Sequence, residues 1–190
     1  MKILILGVAG MLGHKLYQVL SPVFDVTGTI RGDYSGISRY DFFRQAEIIP
    51  QVSAFEISRL EEVVAGVGPD VAINCIGIVK QRSEAQDRLL STWVNSLFPH
   101  QLYQICSGRG VRLIHISTDC VFSGKKGNYR EDDPSDAEDI YGKSKYLGEV
   151  SGEGALTIRT SLIGRDLSTT NGLVEWFRSN RGNTIMGFTN

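Results

Sequence analysis

A glycine-rich turn between an apolar strand and an amphipathic helix is the feature that most restricts how this chain can fold. The strand spans residues 2–6, the helix reaches about Leu20, and three glycines separate them at intervals of three residues. In a dinucleotide-binding turn, the first glycine permits a tight turn, the second admits a pyrophosphate to the helix N-terminus, and the third allows close helix–strand packing. The spacing differs from the usual Gly-x-Gly-x-x-Gly. We predict a dinucleotide site formed by Gly7, Gly10, Met11, Leu12 and Gly13.

Apolar strands alternate with helices along the rest of the chain. Strands are predicted at 24–30, 52–55, 70–77, 111–116, 155–159 and 184–188, and helices at 58–67, 83–108, from 141 onward and 171–180. This alternation predicts a doubly wound parallel sheet, the Rossmann class of α/β fold, with right-handed crossovers. Ligands of such sheets bind at the carboxyl ends of the strands.

Two strand ends bear on the cofactor. NAD sites usually have an acidic residue after the second strand, whereas NADP sites tend to have arginine for the 2′-phosphate. Arg31 occupies that place, with Asp33 two positions later. We therefore predict NADP(H) in preference to NAD(H), with an exposed loop arginine as the alternative role for Arg31. The strand at 70–77 ends in residues predicted to lie beside the adenosine half of the cofactor: Asn74, Cys75, Ile76 and Gly77.

A polar cluster follows the strand at 111–116. Thr118 lies just after the strand end, and Tyr141 and Lys145 open a later helix, one turn apart on one face. The Lys145 ammonium should favour the phenolate and so lower the pKa of Tyr141. The Thr118 hydroxyl could share the same substrate oxygen. Together these groups predict a proton-transfer site for an alcohol–ketone interconversion.

Composition excludes several classes of protein. The 190 residues, 42% hydrophobic and 22% charged, can bury one sizeable core, and a net charge of -1 provides no basic field for nucleic acid or an anionic membrane. No apolar stretch approaches the length of a membrane span, and a chain that begins with a core strand is not expected to carry a cleaved signal peptide. The three cysteines lack ligand spacing and predict reduced thiols in a cytoplasmic protein. The three histidines also lack it, so no metal site is predicted.

Three further motifs follow the glycine turn in an order and spacing found in a known family. They are Ser-Thr-Asp-Cys-Val-Phe at 117–122, Tyr-Gly-Lys-Ser-Lys-Tyr-Leu-Gly-Glu at 141–149 and Arg-Thr-Ser at 159–161. With the glycine turn, they resemble the extended short-chain dehydrogenase/reductases, and more narrowly the dTDP-4-dehydrorhamnose reductase branch. Cys120 departs from that branch, which usually has tyrosine there.

The resemblance implies roles for individual residues. Thr118, Tyr141 and Lys145 would form the catalytic trio, which Asn95 would complete through a water. Ser117, Tyr141 and Lys145 would also contact the cofactor. The implied reaction is NAD(P)H-dependent reduction of the 4-keto group of a nucleotide-activated sugar, with Tyr141 as the proton donor. A sugar-nucleotide epimerase or dehydratase, and a non-catalytic dinucleotide-binding regulatory subunit, stay open as alternatives. The partner is a nucleotide sugar, and a homodimer is one possible assembly.

The resemblance also divides the chain. Residues 1–164 would form the dinucleotide-binding Rossmann domain that carries the catalytic trio, and residues 165–190 would begin a substrate-binding lobe. Members of the branch carry a further C-terminal segment that completes the sugar-nucleotide site. Because this chain ends at Asn190, we expect either that the lobe is truncated here or that the protein lacks a full substrate lobe. The apolar face of the helix at 171–180 is then expected to be partly exposed.

Overall fold

The sheet is parallel throughout. A computed structural model describes residues 1–80, 86–167 and 172–186. Within these ranges, six strands lie in the order β3-β2-β1-β4-β5-β6. They are β1 (Lys2–Leu6), β2 (Asp25–Thr29), β3 (Glu47–Ile49), β4 (Val71–Asn74), β5 (Arg112–Ser117) and β6 (Ala155–Arg159). The predicted doubly wound Rossmann sheet is confirmed. The strand order reverses between β1 and β4, which is where such sheets form a ligand crevice.

Helices cover both faces of the sheet. They are α1 (Met11–Leu20), α2 (Ile57–Val67), α3 (Arg88–Ser91), α4 (Phe98–Ser107), α5 (Ile140–Leu147) and α6 (Leu173–Ser179), and a π-helical turn (Thr92–Leu97) joins α3 to α4. Successive residues of β1 point to opposite faces. Leu4 and Leu6 therefore pack in the core formed with α2 and α4, whereas Ile3 and Ile5 pack in the core that includes Tyr17 of α1.

The third strand lies earlier than predicted. The sequence placed it at 52–55, whereas β3 spans Glu47–Ile49 and pairs with β2 at the edge of the sheet. Val52 and Ala54 are buried, but they enter the core from a loop. The loop begins at Gln51, whose positive φ of 56° turns the chain out of the strand. The apolar pattern was therefore a signal of burial and not of pairing.

The C-terminal elements agree with the sequence only in part. The predicted helix at 171–180 corresponds to α6, and its apolar face is exposed as expected, since Leu173, Trp176 and Phe177 are each about half or more accessible. The predicted strand at 184–188 is wrong for residues 184–186, which form no strand, and its remainder lies outside the described residues. The start of the helix predicted at 83–108 also lies outside them.

Candidate functional site

The glycine turn has the geometry that a pyrophosphate requires. Gly7 adopts a positive φ of 84°, and the Gly10 N–H donates to the Gly7 carbonyl oxygen at 3.1 Å. A Cβ added to Gly13 would lie 2.2 Å from that same carbonyl oxygen, so only glycine lets α1 pack this closely on the turn. The first turn of α1 contains no acidic residue. The helix N-terminus, with Met11 and Leu12 in its first turn, can therefore receive an anion.

The end of β4 is fixed by a buried side-chain amide. Asn74 Nδ2 bonds His115 Nδ1 at 3.1 Å, and Asn74 Oδ1 accepts the Ile76 N–H at 3.0 Å. Burial lowers the pKa of His115 to about 3, so this histidine is neutral. Asn74 therefore shapes the turn after β4 through its side chain, and Cys75 and Ile76 follow within that turn.

Gly77 brings the end of β4 to the predicted catalytic residues. A Cβ at Gly77 would lie 3.4 Å from Asn95 Oδ1 and 3.7 Å from Lys145 Nζ. Burial raises the pKa of the nearby Cys75 thiol to about 12, and the Lys145 charge opposes this rise. The residues predicted for the adenosine half thus also border Lys145.

Lys145 is directed toward the sheet. Its Nζ donates to the Ile116 carbonyl oxygen of β5 at 2.6 Å, and its side chain is buried. Burial lowers the pKa of Lys145 to about 8, and the charge of Glu149 opposes this shift. An ammonium held in this way at the carboxyl end of β5 can donate to hydroxyl groups of a ligand lying across the strand ends.

Tyr141 lies beside Thr118, which a shared proton-transfer site requires. The two side chains are close enough to interact, and burial raises the pKa of Tyr141 above its usual 10. The interaction with Thr118 lowers this pKa, and the charges of Asp119 and Asp139 raise it. The pKa of Tyr141 is thus raised overall and not lowered, and the Lys145 ammonium, which was expected to lower it, bonds the Ile116 carbonyl oxygen.

Asn95 lies in the π-helical turn and is fully engaged with protein groups. Its Oδ1 accepts the Ile78 N–H at 2.9 Å, and its Nδ2 donates to the Ile78 carbonyl oxygen at 3.1 Å and to Ser144 Oγ at 3.2 Å. Asn95 therefore ties the segment after β4 to α5. π-Helical turns are frequent at functional sites.

Arg31 stands apart from this cluster. It lies directly after β2 and Ile30, and its side chain is exposed. The neighbouring Asp33 accepts a bond from Gln51 Nε2 at 3.0 Å, which holds that carboxylate against the loop after β3. This position agrees with either predicted role of Arg31, as a partner for the 2′-phosphate of NADP or as an exposed loop arginine.

An ion pair between Glu149 and Arg159 was not predicted from the sequence. Glu149 accepts from Arg159 Nε at 2.8 Å and from Nη2 at 2.7 Å, and Ser117 Oγ donates to the same carboxylate at 2.8 Å. The Ser117 hydroxyl thus donates its hydrogen to Glu149. An arginine directly after the strand residues 155–158 was the signal that could have indicated a partly buried acidic partner.

Ion pairs and hydrogen bonds between its own residues hold the loop between β5 and α5 together. Lys126 Nζ contacts Asp133 at 2.5 Å, Lys125 pairs with Glu138, and Ser123 donates to both oxygens of Asp136. Asp139 caps α5 through the Gly142 N–H.

No group of three or more metal-ligating side chains occurs among residues 1–80, 86–167 and 172–186. In the same residues, no helix is long and apolar enough to cross a membrane.

Comparison with known proteins identifies the family of this chain. The sequence profile of the RmlD substrate binding domain matches residues 1–175. The chain belongs to this family. The resemblance to the dTDP-4-dehydrorhamnose reductase branch of the extended short-chain dehydrogenase/reductases is therefore confirmed.

Individual relatives and solved structures agree with this assignment. The chain is 30% identical over 150 residues, or 73% of its length and 50% of the relative's, to a Haloferax volcanii protein named "Probable low-salt glycan biosynthesis reductase". It superposes with a TM-score of 0.74 and 30% identity on a hypothetical dTDP-4-dehydrorhamnose reductase from Sulfolobus tokodaii, covering 87% of this chain and 57% of that one. It also superposes on the Bacillus anthracis dTDP-4-dehydrorhamnose reductase in complex with NADP, with a TM-score of 0.60 and 26% identity, covering 77% of this chain and 47% of that one. The chain thus spans about half the length of the curated relatives it matches.

Proposed function

We propose that this chain is the cofactor-binding and catalytic part of a reductase that acts on the 4-keto group of a nucleotide-activated sugar. The observation that carries the proposal is the contact between the Thr118 and Tyr141 side chains beside the buried Lys145, at the same edge of the sheet as the glycine turn. In this proposal, residues 1–164 form the dinucleotide-binding unit. Residues 165–190 begin the lobe that holds the sugar.

The residues fit a nicotinamide dinucleotide. A ligand laid across the carboxyl ends of the strands meets the anion-binding N-terminus of α1 at one end and the Lys145 ammonium at the other. When bound, the dinucleotide supplies the hydride. The Bacillus anthracis reductase, which was solved in complex with NADP, supports a nicotinamide dinucleotide as the cofactor.

Each side chain at the site has its own role in the proposed proton transfer. Tyr141 is protonated at neutral pH, since the ordinary pKa of tyrosine is about 10 and burial raises it here. It can therefore donate its proton to the oxyanion that forms from a ketone. Thr118, buried at the end of β5, can fix the position of that oxygen. Lys145 can hold the ribose hydroxyls of the cofactor, and Asn95 keeps α5 in place against the loop after β4.

The alternatives are less well supported. A regulatory subunit needs no proton donor, yet Thr118, Tyr141 and Lys145 are all present and the first two are in contact. An epimerase that keeps NAD bound has less use for an arginine after β2. The sequence and geometry therefore favour reduction.

The reaction is tested by assaying NADPH oxidation with a dTDP-4-keto sugar. We expect this chain to bind the dinucleotide, identified by mass spectrometry of the purified protein. We expect weak turnover at most unless the downstream coding sequence, where one exists, is included, because the ketone must be held near attack distance. Full turnover by the 190 residues alone would show that the sugar site is already complete. The absence of dinucleotide binding would contradict the proposal.

The NADP preference is tested at Arg31. The Arg31→Ala variant should bind NADPH at least about tenfold more weakly, a loss of roughly 1.4 kcal/mol, because the guanidinium would pair with the 2′-phosphate. Its affinity for NADH should barely change, which makes NADH the internal control. Isothermal titration calorimetry measures both, and equal losses for the two cofactors would refute the assignment.

A further inference from the structure

The segment after β2 lies between the glycine turn and the loop after β3. The Thr29 carbonyl oxygen, at the end of β2, accepts the Gly7 N–H at 3.2 Å and the Val8 N–H at 3.0 Å. A dinucleotide whose pyrophosphate lies at the N-terminus of α1 would therefore place the ribose of its adenosine half beside residues 31–33. This ribose carries a 2′-phosphate in NADP and a free 2′-hydroxyl in NAD.

Two residues of opposite charge are close enough in the sequence to compete for that ribose. Arg31 and Asp33 are separated by one glycine, and both are exposed. A guanidinium pairs with a phosphate, whereas a carboxylate repels a phosphate and accepts a hydrogen bond from a ribose hydroxyl. If both side chains faced the ribose, each would oppose the cofactor that the other favours. The direction of the Asp33 carboxylate therefore decides which cofactor is preferred.

Gln51 sets the direction of this carboxylate. Its Nε2 donates to Asp33 Oδ1 at 3.0 Å, and its backbone N–H donates to the Gly32 carbonyl oxygen at 3.2 Å. Asp33 occupies the cap position of the short 3₁₀ turn Tyr34–Gly36, where an aspartate side chain commonly accepts a backbone N–H, yet it caps none of the N–H groups of this turn. The carboxylate is directed toward the loop after β3 instead.

The backbone around Gln51 holds its side chain in this place. Its φ of 56° lies in the left-handed region, which residues with a side chain adopt rarely. On either side of it, the Val52 N–H donates to the Ile30 carbonyl oxygen at 2.9 Å, and the Ile30 N–H donates to the Ile49 carbonyl oxygen at 3.1 Å. These bonds continue the pairing of β2 with β3 beyond the strand ends, so the Gln51 amide is presented to Asp33 by a fixed loop.

We propose that Gln51 is a specificity-determining residue, which holds the Asp33 carboxylate away from the cofactor ribose and leaves Arg31 to bind the 2′-phosphate of NADP. The inference rests on the proposed function and deepens its choice of cofactor. A segment that contains an acidic residue can then still prefer NADP, because the carboxylate that would accept the 2′-hydroxyl of NAD is bonded to an amide of the protein.

The test measures the affinities of NADPH and NADH for this chain by isothermal titration calorimetry. In Gln51→Ala, the released Asp33 should bond the 2′-hydroxyl of NADH and repel the 2′-phosphate of NADPH. The ratio of NADPH to NADH affinity should therefore fall by about threefold or more. Gln51→Gly removes the same amide, and glycine adopts a positive φ freely, so an equal fall is expected there. A fall confined to one of the two variants would point to the backbone and overturn the proposal.

A double-mutant comparison tests whether Gln51 acts through Asp33. Asp33→Asn removes the charge, and in that background Gln51→Gly should leave the affinity ratio unchanged. The same fall in the Asp33→Asn background would overturn the proposal, as would an unchanged ratio in Gln51→Gly alone. Binding of both cofactors with an unchanged ratio would remove only the role of Gln51. If the unmodified chain bound neither cofactor, the proposed function would fail, and this inference with it.

Discussion

Replacing Tyr141 with phenylalanine is expected to lower turnover of the keto sugar by about 10²–10⁴-fold. The substitution keeps the ring, which is half-buried beside Thr118, and removes only the hydroxyl. Without the donor, the oxyanion must take its proton from water, which raises the barrier by roughly 3–5 kcal/mol. The measurement is the single-turnover rate of NADPH oxidation by the enzyme with its complete substrate lobe.

Cofactor binding separates this effect from misfolding. Tyr141→Phe should bind NADPH as the unmodified protein does, whereas Lys145→Met should weaken both binding and turnover, because Lys145 lies where the nicotinamide ribose is proposed to bind. Near-normal turnover in Tyr141→Phe would show that another group donates the proton. The pair of variants thus assigns chemistry to one side chain and positioning to the other.

A single methyl group at Gly148 is expected to destabilise the protein by about 3 kcal/mol. Gly148 ends α5 against the π-helical turn, and a Cβ there would lie 1.8 Å from the Asn95 carbonyl oxygen. The other nearest atoms are also backbone, the Asn95 carbonyl carbon at 2.9 Å and Ser96 Cα at 3.1 Å. No side chain can move aside, so the Gly148→Ala variant must separate α5 from the turn. The free energy of unfolding, measured by urea denaturation, reports the cost.

Gly66 provides the matched control. It lies inside α2, and a Cβ there would meet nothing within 4 Å. Gly66→Ala should therefore leave the protein as stable or stabilise it by about 0.5–1 kcal/mol, since alanine is the better helix former. Similar unfolding midpoints for the two alanine variants would contradict the packing argument.

The parts of the fold and site that the sequence predicted correctly share strong local constraints. The glycine turn is one case, because Gly7 needs a positive φ and Gly13 needs close packing, and few other residues permit either. The approach of Tyr141 to Thr118 is another, since a helix that follows a strand of a parallel sheet begins at the edge where that strand ends. The assigned roles of these residues stay predictions.

The features that the sequence did not predict depend on long-range geometry. The Lys145 side chain can extend toward Tyr141 or toward β5, and only the position of the Ile116 carbonyl decides between them. The Glu149–Arg159 pair joins the segment after α5 to β6, so no helix or strand spacing reveals it. β3 has only three residues, too few for any periodicity, and the stronger apolar signal at Val52 and Ala54 came from burial in a loop.

The π-helical turn at Thr92–Leu97 restricts insertions and deletions in this region. A π turn holds about one more residue than an α turn, so deleting one residue there would leave α3 and α4 in register, whereas deleting one residue from α4 would rotate its two ends against each other by about 100°. The regular turn would lack the extra residue that lets Asn95 reach both Ile78 and Ser144, which lie on separate segments. A one-residue deletion in the turn is therefore compatible with the helices but not with the contacts of Asn95. In an alignment of related chains, a one-residue gap within Thr92–Leu97 should coincide with replacement of this asparagine.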